Sequence, residues 1–286
     1  MSFPSVADTR SMLETAGYIC TREIATVVFL AARTQKPILV EGPAGVGKTE
    51  LAKAVSRSLH REMIRLQCYE GLDEAKALYE WEYAKQLLYT QMVKDKIGDV
   101  VSGAASLSDA VNRIAGQEDA FFSERFMLPR PLLKSIRSDE PVVLLVDEVD
   151  KSDPEFEAFL LEVLSDHQVT IPELGTLKAV HIPFVVLTSN SYRDMSDALK
   201  RRCLHLYIDY PEAETEREIV RRQVPGLSET LTRQMSTAMS RIRNLELKKR
   251  PSIAETLDWA RALLNLQVES LTPEAVLATL NVIVKY

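Results

Sequence analysis

Residues 42–49 read Gly-Pro-Ala-Gly-Val-Gly-Lys-Thr, a full match to G-x-x-x-x-G-K-[ST]. This octet constrains the fold more than any other stretch, because it works only between a strand and a helix. Glycines let successive backbone N–H groups turn inward towards phosphate oxygens. The helix that follows presents its unpaired N-terminal N–H groups and its dipole to the same anion. Lys48 is placed to reach the β- and γ-phosphates, and the Thr49 hydroxyl to ligate Mg²⁺. The flanks agree. Ile38-Leu39-Val40 is a short apolar run between Pro37 and Gly42 and reads as a buried strand. Glu50 to Leu59 carries Leu51, Val55 and Leu59 on one helical face. Gly42, Pro43, Ala44, Gly45, Val46, Gly47, Lys48, Thr49 and Glu50 are the candidate stretch for holding a nucleoside triphosphate.

About one hundred residues later, Val142 to Val146 runs directly into Asp147-Glu148. Acidic residues at the carboxyl end of a buried parallel strand lie in the ligand crevice. Asp147 is placed to hold Mg²⁺ together with Thr49. Glu148, one residue on, points differently, towards an attacking water that a carboxylate can orient or deprotonate. Asp150, in the same turn, reads as a cap or a supporting residue.

The rest of the chain supplies the frame. Residues 5–35 are predicted helical, as are 72–97, 129–136 and 154–165. Met63 to Cys68, Phe184 to Leu187 and Leu204 to Ile208 are predicted strands, and 168–181 a hairpin turning at Glu173-Leu174-Gly175. After Pro211 only helices are predicted, at 212–224, 228–246, 252–268 and 273–284, the last opened by Thr272-Pro273-Glu274. Strands alternating with helices, then helices alone, give the expected fold class. It is α/β, with a parallel five-stranded sheet flanked by helices over residues 1–211 and a small all-α domain over 212–286.

Composition narrows the function. No run approaches the roughly 20 apolar residues of a membrane span, and the N-terminus lacks a secretory signal. The three cysteines, Cys20, Cys68 and Cys203, have neither disulfide nor zinc spacing, which suits a reducing, cytoplasmic setting. Net charge is −6, against a dedicated nucleic-acid binder. The basic runs Lys200-Arg201-Arg202 and Lys248-Lys249-Arg250 keep a nucleic-acid motor or clamp-loader-like protein as the alternative. No Asn-Lys-x-Asp base-reading motif of a GTPase is present.

The segments EGPAGVGKTELAKA, VVLLVDEVDKSDPEFEAFLLEVLSDHQVTIPELGTLKA, FVVLTSN and DALKRRCLHLYIDYP resemble the AAA+ ATPases, specifically the MoxR family. CYEGLDEAKALYEWEYAKQLLY is most similar to the CoxD-type branch, accessory ATPases for maturation of a molybdenum–copper carbon-monoxide dehydrogenase. The resemblance covers nearly the whole chain. It implies ATP and Mg²⁺ as cofactors, a homo-oligomeric ring, a hexamer, and a partner carrying a von Willebrand factor A domain that acts with it on a client protein. It implies that Asn190 is sensor 1, positioning the attacking water. Alignment on Asp209-Tyr210-Pro211 makes Arg201 the arginine finger, whereas alignment on the Arg-Cys of clamp-loader-like relatives makes it Arg202. Arg250 resembles sensor 2, with Lys249 as competitor.

Overall fold

In the computed structural model of the chain, residues 2–92, 106, 126–171, 175–245, 247 and 250–284 are described. Lys248, Lys249, the end of the helix expected to Ile97 and the turn residues Glu173 and Leu174 lie outside them.

Five parallel strands form the central sheet: β1 (Ile38–Glu41), β2 (Met63–Gln67), β5 (Val143–Asp147), β8 (Phe184–Ser189) and β9 (Leu204–Tyr207), in spatial order β2-β5-β8-β1-β9. Both faces are covered, which is why β5 and β8 read as unbroken apolar runs rather than alternating ones. Alternate residues feed two clusters. Ile38, Val40, Val143, Leu145 and Val186 pack with α1 (Val6–Thr15), α2 (Arg22–Thr34) and α3 (Lys48–Leu59) on one side. Leu39, Leu144, Val146, Val185 and Leu187 pack on the other, against α6 (Pro131–Ile136) and α7 (Pro154–Asp166). The register sets Gln67 beside Asp147 and Glu41 beside Ser189, so the carboxyl ends of four strands meet along one edge.

The helical stretch expected over 5–35 consists of two helices. Gly17 takes φ +87°, a left-handed backbone that ends α1, and the Thr21 hydroxyl, accepting from the Ile24 N–H at 3.2 Å, starts α2 afresh. The helix expected over 72–97 is interrupted. Between α4 (Glu74–Leu78) and α5 (Tyr83–Met92), Tyr79–Trp81 forms strand β3, antiparallel to β4 (Met127–Pro129). The aromatic rings of Tyr79 and Trp81 meet edge-on at 5.7 Å. Such residues favour a pleated, half-buried surface, and their strand partner lies almost fifty residues away. The hairpin forms from β6 (Gln168–Ile171) and β7 (Gly175–Lys178). A short helix, α8 (Asp197–Arg202), precedes β9.

Beyond Pro211 come α9 (Ala213–Gln223), α10 (Glu229–Arg243), α11 (Ile253–Asn265) and α12 (Pro273–Ile283), with a separate cluster of buried residues around Trp259, Met235, Met239 and Leu263. The Trp259 indole N–H donates to Thr279 Oγ1 at 2.7 Å. Arg243 and Glu216 form a buried two-pronged ion pair at 2.8 and 2.6 Å, joined by Thr256. Arg243 Nε also donates to the Pro251 carbonyl at 2.8 Å, fixing the approach to α11. The N-cap of α11, Ser252, sits against Gly45 of the loop. Among the described residues no helix is long and apolar enough to cross a membrane.

Candidate nucleotide site

The loop between β1 and α3 is built on left-handed glycines, with φ +146° at Gly42, +75° at Gly45 and +101° at Gly47. At Gly42 the chain passes so close to β9 that a Cβ would lie 3.0 Å from the Ile208 carbonyl carbon, and closer still to its oxygen. Gly47 is the N-cap of α3, which begins at Lys48 rather than Glu50. The Lys48 ammonium donates to the Gly42 and Pro43 carbonyls, both at 2.6 Å, and to Asn190 Oδ1 at 2.8 Å. Burial pushes its pKa down to about 8, against the opposing pull of the Asp150, Asp147 and Glu148 carboxylates. Glu50 turns away from the loop and pairs with Arg57 and Lys53 on its own helix.

The acidic pair lies across from the loop. Asp147 is buried; its Oδ1 accepts from Thr49 Oγ1 at 3.1 Å and from Thr188 Oγ1 at 2.5 Å. Its Oδ2 accepts from Arg65 of β2 at 2.5 Å. The Glu148 backbone is left-handed, φ +56°, and its N–H donates to Thr188 Oγ1 at 2.9 Å. That turn swings the Glu148 carboxylate away from Asp147 and towards Asn190 Nδ2 at 3.2 Å, Gln67 Nε2 at 2.9 Å and Lys151 at 2.6 Å. Thr49 and Asp147 are hard oxygen donors set together at the helix N-terminus, the donor class that Mg²⁺ takes.

Lys48, Thr49, Asp147, Glu148 and Asn190 are thus joined in one hydrogen-bonded cluster, although up to 142 positions separate them in the chain. Arg201 and Arg202 stand apart, exposed at the end of α8. Arg202 is held by Ser165 at 2.5 Å and the Ala198 carbonyl at 3.1 Å, whereas Arg201 makes no hydrogen bond or ion pair with a described residue. Arg250 is also exposed, two residues before the Ser252 that touches Gly45, and its charge acts on Tyr210. Neither arginine position is part of the cluster.

Four residues of the cluster were not singled out from the sequence: Arg65, Gln67, Lys151 and Thr188. The strand Met63–Gln67 carries a usable signal, since Ile64 and Leu66 are buried while Arg65 and Gln67 face out on its other side. Asp150 is buried and bonds the backbone of Asn190 and Tyr192.

Known proteins bear on this arrangement. The family model described as AAA domain (dynein-related subfamily) matches residues 37–203, more than half of the chain and the whole span from β1 to α8. Gas vesicle ATPase GvpN of Haloferax mediterranei is 28% identical over 217 residues, covering 73% of this chain and 56% of that protein. An uncharacterised protein of Staphylococcus haemolyticus is 24% identical over 237 residues, 81% of this chain and 76% of its own length. Among solved structures, a RuvB mutant from Thermotoga maritima superposes with a TM-score of 0.51 at 16% identity, over 94% of this chain and 69% of that one, a likeness of fold alone. With a phosphate loop, an acidic strand end and the matching span between them, the chain belongs to the AAA domain family, dynein-related subfamily.

Proposed function

We propose that this chain is a Mg²⁺-dependent ATPase of MoxR type, working as an oligomeric ring in the cytoplasm with each active site completed by a neighbour. The carrying observation is Asn190, whose amide bridges Lys48 of the phosphate loop and Glu148 of the acidic pair. The loop N–H groups, Lys48 and the start of α3 hold the triphosphate. Thr49 and Asp147 hold the magnesium ion, which supplies charge neutralisation at the phosphates when bound. Glu148 accepts the proton of the attacking water, and Asn190 holds that water in line. Arg201, exposed and without a partner among the described residues, suits a role in trans, stabilising the charge of transfer at the next subunit's site. Arg250, beside the contact between α11 and Gly45, suits a sensor of the nucleotide from the helical part. The similarity to a protein named as a gas vesicle ATPase supports the ATPase reading, with which we propose a role in remodelling a partner protein. Such a client, a metalloenzyme awaiting its cofactor in the CoxD-type reading, would be reached with a partner carrying a von Willebrand factor A domain.

The test uses two variants. Glu148→Gln is expected to bind ATP normally and to lose turnover by on the order of 100-fold or more. Arg201→Ala is expected to be inactive as well. Co-expressed under separate tags and purified through both, they regain activity at interfaces where an intact Glu148 faces an intact Arg201. Wild-type turnover in Glu148→Gln would sink the hydrolytic assignment. Mixed oligomers no more active than their parents would sink the shared site.

A further inference from the structure

Asp150 is only 1% exposed, and burying a carboxylate is costly unless it is well paired. Its partners are backbone groups of another strand end. Oδ2 accepts from the Asn190 N–H at 3.0 Å and from the Tyr192 N–H at 2.8 Å. Oδ1 has no hydrogen-bond partner among the described residues. Between the two donors, Ser191 sits at φ +59°, with its own N–H on Ser189 Oγ at 3.0 Å. A non-glycine residue seldom adopts that region, so the turn persists because its surroundings hold it. The only described side chain bridging the loop lysine to the acidic pair, Asn190, leaves the chain at this turn.

Direction follows from that. The Asn190 amide reaches Lys48 at 2.8 Å and Glu148 at 3.2 Å only if its backbone is correctly set. Asp150 sets it, two residues beyond Glu148 on the neighbouring strand's turn. We propose that Asp150 is a positioning residue for ATP hydrolysis, clamping the Asn190–Tyr192 backbone so that the Asn190 side chain spans Lys48 and Glu148. The assignment rests on the function proposed above. An Asp side chain suits the task because one oxygen, with two lone pairs, accepts both N–H groups at this reach. The geometry predicts that the place of the acceptor atom matters for turnover, and that its negative charge does not.

Two substitutions separate these. Asp150→Asn keeps an acceptor where Oδ2 lies, with its amide nitrogen falling at the unpartnered Oδ1, and removes the charge. Asp150→Glu keeps the charge and moves the acceptor by one methylene. Steady-state kcat at saturating Mg-ATP is measured for both, with the affinity for a fluorescent ATP analogue and the thermal midpoint alongside. Saturation keeps any change in nucleotide affinity, from the loss of a charge near Lys48, out of the kcat. Asp150→Asn is expected to hold kcat within about threefold of wild type, and Asp150→Glu to lose about 10–100-fold with affinity little changed, as a displacement of order 1 Å does. Added to Asn190→Ala, Asp150→Glu is expected to cost nothing more. Asp150→Ser, which withdraws the acceptor, stands in should the glutamate variant fail to fold, with the same expected loss. Wild-type kcat in the Glu or Ser variant, an Asn variant as slow as either, or a further loss on top of Asn190→Ala would overturn the proposal. Wild-type kcat in Asn190→Ala alone would overturn the site assignment beneath it.

Discussion

Placing a methyl group on Gly45 tests whether the phosphate loop and the helical part are mechanically joined. Gly45 has φ +75°, and a Cβ there would stand 2.7 Å from Ser252 Cβ, closer still to its Oγ, and 3.6 Å from Ala254 Cβ. Ser252 cannot easily give way. It caps α11, its N–H donates to Glu255 Oε2 at 2.9 Å, its hydroxyl donates to the same carboxylate, and the preceding carbonyl is held by Arg243. Gly45→Ala therefore carries two costs: about 1–2 kcal/mol for a left-handed alanine and about 1–3 kcal/mol for overpacking against Ser252. The total is about 2–5 kcal/mol. Only the second cost depends on Ser252. Ser252→Gly removes both clashing atoms, and glycine costs only a few tenths of a kcal/mol as a cap. Urea unfolding, followed by Trp259 fluorescence in a Trp81→Phe background, gives the double-mutant cycle. The double variant is expected to recover about 1–3 kcal/mol relative to the sum of the singles. Additivity to within about 0.5 kcal/mol would show that α11 does not rest on the loop in solution.

Two further outcomes follow from buried charges. The free-protein pKa of Lys48, about 8, lies below its ordinary 10.5, so the folded chain binds fewer protons than the unfolded one between those values and its stability rises with pH across that window. A bound triphosphate favours the ammonium form, so nucleotide binding above pH 8 is expected to take up a proton and weaken as pH rises; binding enthalpies independent of buffer ionisation heat would contradict this. Arg243→Ala strands the fully buried Glu216 carboxylate and is expected to cost about 3–5 kcal/mol, largely recovered by the apolar pair Arg243→Met with Glu216→Leu. A loss below about 1 kcal/mol in urea unfolding would show the pair to be hydrated and dispensable.

The parts of the site legible in the sequence are those written in consecutive residues. The octet 42–49 needs φ > 0 at its glycines and a strand and a helix at its ends, all local requirements. Val142–Val146 announces a strand buried on both faces, and the acidic pair at its end inherits its place from the sheet. Other features depend on distant partners. Tyr79–Trp81 reads as helix until Met127–Pro129 pairs with it. Arg65 and Gln67 look like ordinary exposed strand residues until the register sets β2 beside β5. Asp150 reads as a cap because nothing near it in the chain tells that Asn190 and Tyr192 will turn their N–H groups towards it.

Three features are local: a loop suited to a triphosphate opens a helix, an acidic pair ends a buried strand, and helices follow the sheet. Those outcomes rest on backbone freedom, capping and hydrophobic period, which are properties of short segments. Three others arise on folding: Lys48, Asn190, Glu148 and Asp150 form one hydrogen-bonded chain, Arg65 sits on Asp147, and Ser252 presses on Gly45. The first two need strand ends brought within a few ångströms by the sheet order β2-β5-β8-β1-β9, and the third needs a helix end from beyond Pro211 set on the loop; none of these partners is near in the chain.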